Sequence, residues 1–375
     1  MLNENATNPR YRVDKFKAAS LSGNPLNSPD ERYLHVYLPP GYYEDTSLHY
    51  PVIYFLHGYG GSDSNIIVVP LAPDAANAEG PYAAEMLKYV DLQRIPSYQM
   101  FDEMILSGNL PPFIFVQPDG SLQIPHYQGM KDFLSGMPII KGSFYINSPG
   151  TGNYEDYIIR DVINYTETSY RTLRDKGGRA IAGGSMGGYG TLYLSLRHAD
   201  MFSSAAALSP GNMTVDMLSW KLRLPMAEML FGKETSEKIG QSAWDDIYHT
   251  LDMVYSPATP LLPTVKRDAS GRVIGYDEKA ARNWQHYDLN NLITGYDSPY
   301  KDMALMMNCD KEDEFGCAVA TEKLHNTLLS RGIKHEYEIY ADTMTRLSPH
   351  IQGLTYNVIP AIRFCLGHTS QAAPV

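Results

Sequence analysis

The run Ala180-Ile-Ala-Gly-Gly-Ser-Met-Gly-Gly-Tyr-Gly190 sets Ser185 within Gly183-x-Ser185-x-Gly187, between a short apolar segment and a helix-like stretch at 189–197. A chain that turns from strand to helix within one residue brings two backbones nearly into contact, so positions two before and two after the turn must lack bulk. Glycines at 183, 187 and 188 meet that demand. The same turn holds a serine hydroxyl clear of its own backbone and beside N–H groups that can receive an oxyanion, which a serine needs to act as a nucleophile. A phosphate-binding loop is the competing use of such glycines, but no Gly-Lys-Ser/Thr follows and the helix begins Tyr-Gly-Thr-Leu.

Strand-like runs recur on both sides of this turn, at 33–38, 52–56, 113–117, 179–183, 204–208, 303–308 and 336–340. The middle ones are apolar on consecutive residues, as parallel strands covered on both faces must be. Helical patterns at 98–107, 154–174, 188–197, 321–330 and 354–366 alternate with them. The pattern predicts an α/β fold with a mostly parallel, doubly wound sheet and helices on both faces. Residues 62–96 and 212–300 break the repeat, and long insertions between strands are usually lids or binding loops. One domain over 1–375 is expected, with 212–300 as a lid or cap inserted within it.

The formal charge of −11 and the isoelectric point near 5.4 argue against nucleic acid and anionic membranes as partners. The N-terminal residues Met-Leu-Asn-Glu-Asn-Ala-Thr-Asn lack a basic segment and an apolar one. A cytoplasmic protein is expected if the chain is complete, and a secreted one if a signal was trimmed. Three cysteines, Cys309, Cys317 and Cys365, read as buried thiols, with a Cys309–Cys317 bridge left open. No His/Cys grouping suggests zinc and the acidic run lacks the calcium-loop pattern, so neither metal nor cofactor is expected.

An activated serine needs a base and an acid that orients it, in the chain order Ser, acid, His in a hydrolase of this topology. Residues 303–308 run into Cys-Asp-Lys-Glu-Asp-Glu-Phe-Gly, where Asp310, Glu312, Asp313 and Glu314 crowd together. His350 alone lies between the next strand and the C-terminal helix, which makes it the base by position. His325, His335 and His368 read as surface residues. The oxyanion hole takes one N–H from Met186 and a second from Leu56-His-Gly-Tyr-Gly-Gly61, at Tyr59 or Gly58. His57 reads as structural, bonded to neighbouring backbone. Gly58, Tyr154 and Trp220 are expected to meet the substrate.

Five motifs in order carry a family resemblance: Arg32-Tyr-Leu-His-Val-Tyr-Leu-Pro-Pro-Gly-Tyr, Tyr50-Pro-Val-Ile-Tyr-Phe-Leu-His-Gly-Tyr-Gly-Gly, Gly152-Asn-Tyr-Glu-Asp-Tyr-Ile158, Gly-Gly-Ser-Met-Gly-Gly-Tyr-Gly, and Asp310-Lys-Glu-Asp-Glu-Phe315. Over residues 30–215 and 284–367 the chain resembles the esterase D and feruloyl esterase-like group of α/β-hydrolases. That group includes S-formylglutathione hydrolases and mycolyltransferases. The resemblance implies a serine carboxylesterase with Ser185 as nucleophile, Asp313, two before Phe315, as acid, and His350 as base. Many members carry a Gly-x-His after the penultimate strand, which the segment Ala341-Asp-Thr-Met-Thr-Arg-Leu-Ser-Pro lacks. Residues 216–283 have no family counterpart. The expected reaction is hydrolysis of a small-molecule carboxylic ester, with an aryl or hydroxycinnamoyl ester suggested by 28 tyrosines. Acyl transfer or amide cleavage would use the same triad. A non-catalytic binding protein is disfavoured by the intact Ser, acid and His.

Overall fold

The computed structural model describes residues 8–64, 91–124, 141–214, 222, 224–257, 264–269, 273–342 and 348–374. Eight strands form the main sheet: β1 Tyr11–Lys17, β2 Glu31–Tyr37, β3 Val52–Leu56, β4 Ile114–Pro118, β5 Arg179–Gly184, β6 Ser204–Leu208, β7 Ala304–Asp310 and β8 Glu336–Tyr340. Their spatial order is β1-β2-β4-β3-β5-β6-β7-β8. β2 pairs antiparallel with both β1 and β4, and all pairings from β4 to β8 are parallel.

The consecutive apolar residues divide between two cores because successive side chains leave a strand on opposite faces. Val52, Tyr54 and Leu56 of β3 join one core, while Ile53 and Phe55 join the other. On the first face lies α3, Met186–Arg197, burying Met186, Tyr189, Leu192 and Leu196. On the second lie α1, Tyr98–Leu106, through Phe101, and the C-terminal α10, Val358–Gly367, through Val358, Ala361, Ile362 and Cys365. Alanines at 205, 206 and 207 in β6 let helices approach the sheet on either side. The helical pattern at 154–174 is realised as Tyr154–Asp156, a π-helical turn Tyr157–Val162 and α2, Ile163–Ser169.

Between β6 and β7 the chain makes its longest excursion. It carries α4 Pro225–Phe231, α5 Lys233–Tyr255, a ribbon of Val265–Arg267 with Val273–Tyr276, α6 Glu278–Gln285 and α7 Leu289–Gly295. The 23 residues of α5 bury Trp244, Ile247, Tyr248, Leu251, Val254 and Tyr255 at spacings of three and four, the stripe of a helix packed on one side. After β7 come α8, Cys317–Ser330, and, beyond β8, α9, Pro349–Tyr356.

Candidate active site

Ser185 stands between β5 and α3 with φ 57° and ψ −118°, a left-handed conformation that a residue with a side chain adopts only when its surroundings impose it. The imposition is visible in the glycines. A Cβ on Gly187 would lie 2.0 Å from the Leu56 carbonyl oxygen, and one on Gly183 would lie 2.6 Å from that of Gly187. The Ser185 N–H donates to Leu208 O at 2.9 Å, and its carbonyl accepts from Tyr189 at 3.0 Å and from Gly211 at 2.8 Å. Backbone bonds continue this ladder past the strand ends: Ser209 N–H to Asn308 O at 2.8 Å, and Lys311 N–H to Tyr340 O at 2.7 Å.

The acidic loop after β7 places Asp313 against the ring of a histidine. Asp313 Oδ2 lies 2.6 Å from His350 Nδ1, and His350 Nε2 lies 2.8 Å from Ser185 Oγ. Asp313 Oδ1 accepts the N–H groups of Phe315 at 3.0 Å and Cys317 at 3.2 Å, and the Cys309 thiol donates to Oδ2 at 3.5 Å. Facing a carboxylate, Nδ1 carries the imidazole proton, which leaves Nε2 to accept from the serine hydroxyl. Burial alone would lower the His350 pKa; the Asp313 charge and hydrogen bond, with help from Glu314, carry it above the usual value. Burial pushes Asp313 the other way, and the His350 partner with the surrounding donors brings its carboxyl below the usual range.

His350 is not on a loop, as position in the chain suggested, but in the first turn of α9. Pro349 opens that helix, and the Ser348 hydroxyl caps it by accepting from Ile351 at 3.1 Å. Glu314, one of four neighbouring acids that the sequence does not tell apart, sits beneath this turn. Its Oε2 accepts the His350 N–H at 2.9 Å and its Oε1 accepts the Ser348 hydroxyl. Burial and the Asp313 charge push its carboxyl up to about 7. Asp310 instead shapes the turn by accepting the Glu312 N–H at 2.8 Å. His325 and His335 bond each other at 2.8 Å, and His368 bonds Phe364 O.

His57 donates from Nδ1 to Gly58 O at 2.8 Å and accepts the Gly120 N–H on Nε2 at 2.9 Å, so both ring nitrogens are spent on backbone. Met186 heads α3, where a helix leaves N–H groups without an internal acceptor. Tyr59 follows β3 on the turn that begins with buried Gly58. Tyr154 does not meet a pocket: it is fully buried, and its hydroxyl accepts from Arg32 at 2.7 Å and donates to Ser121 O at 3.0 Å. An internal guanidinium needed that acceptor, and a tyrosine that opens a helical segment gives no sign of which way it points. Trp220 lies outside the described residues.

Phe315 packs against His350 with ring centroids 4.7 Å apart, and Trp244 of α5 meets Phe315 edge-on at 5.8 Å. All three cysteines are free and buried. Among the described residues, Asp313, Cys317 and His350 are the one grouping of three with metal-ligating atoms close together, and two of its members are already bonded to each other. Burial holds the Cys317 thiol well above its usual pKa, unlike a thiolate ligand.

A family model described as "Putative esterase" matches residues 27–342. An esterase of Mycobacterium tuberculosis is 24% identical over 213 residues, covering 56% of this chain and 34% of its own length. An endo-1,4-beta-xylanase/feruloyl esterase of Xylanibacter ruminicola is 28% identical over 180 residues, covering 47% of this chain and 19% of its own. This chain thus matches 34% and 19% of the length of these relatives. A solved ferulic acid esterase superposes with a TM-score of 0.53 at 18% identity, over 94% of this chain and 97% of its own. An S-formylglutathione hydrolase from Agrobacterium tumefaciens gives 0.50 at 14% identity, over 95% of each. With the mostly parallel sheet, these two likenesses establish the α/β-hydrolase fold.

Proposed function

The chain belongs to the esterase family, and from that premise we propose that it hydrolyses a small-molecule carboxylic ester through an acyl-enzyme on Ser185. The observation that carries this reading is the continuous relay of Ser185 Oγ, His350 and Asp313, with contacts of 2.8 and 2.6 Å, on a strained strand-to-helix turn. As Ser185 Oγ attacks the ester carbonyl carbon, His350 Nε2 takes its proton, and the imidazolium that forms is stabilised by Asp313. The carbonyl oxygen, now anionic, is received by the N–H groups of Met186 and Tyr59. The imidazolium returns its proton to the leaving alcohol, and a water activated by the same nitrogen then releases the acid.

The insertion between β6 and β7 forms a cap on this single domain. Its support is a path of ring contacts from Trp244 on α5 through Phe315 to His350, which brings inserted residues within two side chains of the reacting atoms. An aromatic surround favours an aryl or hydroxycinnamoyl acyl group, and the Xylanibacter relative is named a feruloyl esterase. A panel of p-nitrophenyl and hydroxycinnamoyl methyl esters, run with wild type and Ser185→Ala, tests the reading. Turnover should fall by about a thousandfold or more in the variant. Retention of turnover within about tenfold would overturn the assignment of Ser185.

A further inference from the structure

We propose that Asp246 is a positioning residue that fastens the oxyanion-hole loop to the inserted helix α5, through Tyr59 and Lys141. The proposal rests on the reading of the Met186 and Tyr59 N–H groups as oxyanion donors. Asp246 is on the face of α5 that meets the body of the domain. Its Oδ2 accepts the Tyr59 hydroxyl at 2.8 Å, and its Oδ1 accepts Lys141 Nζ at 2.7 Å. Thr250, one turn on, places its Oγ1 2.7 Å from the Tyr59 hydroxyl and 3.1 Å from Lys141 Nζ. One carboxylate therefore holds the side chain of a proposed oxyanion residue and a cation from a third segment.

That third segment reaches the hole itself. A Cβ on Gly142 would lie 2.1 Å from Met186 Sδ and 3.1 Å from Tyr59 Cδ2, so the backbone after Lys141 is wedged between the side chains of both proposed donors. Lys141 is only 2% exposed. A buried ammonium keeps its charge only beside a counterion, so Asp246 fixes where this strut can sit. Burial draws the Lys141 pKa down and Asp246 opposes it. An oxyanion donor acts only when aimed within a few tenths of an ångström of the developing charge, and here the aim is set from the cap.

Tyr59→Phe removes one hydroxyl and keeps the ring, and Asp246→Asn keeps the shape while removing the charge. Steady-state kinetics on p-nitrophenyl acetate, inhibition by phenylboronic acid as a tetrahedral mimic, thermal melting and the pH profile of kcat/KM are read for both, beside Ser185→Ala. Expected are a fall in kcat of about tenfold or more, short of the hundred- to thousandfold for a donor lost outright, with KM within about twofold. Boronate affinity should weaken in parallel, and the acid limb set by His350 should stay in place. Asp246→Glu should restore part of kcat. Wild-type kcat in both folded variants, a change in KM alone, or a lowered melting temperature with unchanged kcat would overturn the proposal. Retained turnover in Ser185→Ala would instead overturn the underlying reading.

Discussion

Replacing Glu314 by glutamine should make the protein more stable, by an amount that grows with pH. The carboxyl is buried, bonded to the His350 N–H and the Ser348 hydroxyl, and held at about 7 by burial and the neighbouring Asp313 charge. Against its ordinary value of 4.5, ionising it in the folded state costs about 3 kcal/mol. Because the folded pKa lies above the unfolded one, the folded protein keeps a proton that the unfolded chain releases. The resulting stability is complete below about pH 4.5 and is lost as the pH rises through about 7. Glutamine mimics the protonated carboxyl: its carbonyl takes the His350 N–H, and the Ser348 hydroxyl, which donates to the carboxylate, turns to accept from the amide as it would from the carboxyl proton. Denaturant unfolding at about pH 5 should find the two proteins within about 1 kcal/mol, and at about pH 8 the variant should lead by up to about 3 kcal/mol. The variant also lacks one of the charges that raise the His350 pKa, so the acid limb of kcat/KM should move to lower pH. A stability difference that does not vary with pH would refute the reasoning.

Two further outcomes follow from the same geometry. Asp313→Asn should lower kcat by about a thousandfold or more and shift the acid limb downward, whereas Asp310→Asn should leave kcat within about tenfold and act on stability; a pH–rate series on both variants decides between them. Gly187→Ala would drive a methyl to 2.0 Å from the Leu56 carbonyl oxygen, so a loss of about 3 kcal/mol or more, read by urea unfolding, is expected even though no catalytic atom changes.

The central strands were legible because burial on both faces leaves no polar alternative in Val52-Ile-Tyr-Phe-Leu56 or its parallel neighbours. β1 was not. It is an edge strand whose Val13 is half exposed while Asp14 and Phe16 turn inward, so its hydrophobic signal runs against its burial. Helix α5 lies in the stretch 212–300 that breaks the repeat, and its pattern is hidden because Ser236, Gly240, Asp245, Asp246 and Asp252 fall among the apolar residues of its stripe. The meeting of Ser185 with His350 agrees with local turn chemistry and order along the chain. The helical setting of His350 had a sign in Ser348-Pro349, a cap followed by proline, that order alone passes over. Glu314 had none: four neighbouring acids differ only in the direction each points, which the fold decides.

The backbone ladder from the Ser185 turn through Leu208, Ser209 and Asn308, and onward from Lys311 to Tyr340, bears on how such a site can vary. The offset between nucleophile and acid loop is ruled by peptide groups, which every residue except proline supplies alike. Side chains along β6 and β7 are thereby released from measuring that distance. They are free to follow the packing of each core, while loops and inserted helices beyond the strand ends are free to shape what the site admits. Catalytic spacing in this architecture belongs to the main chain, and selectivity to what is hung upon it.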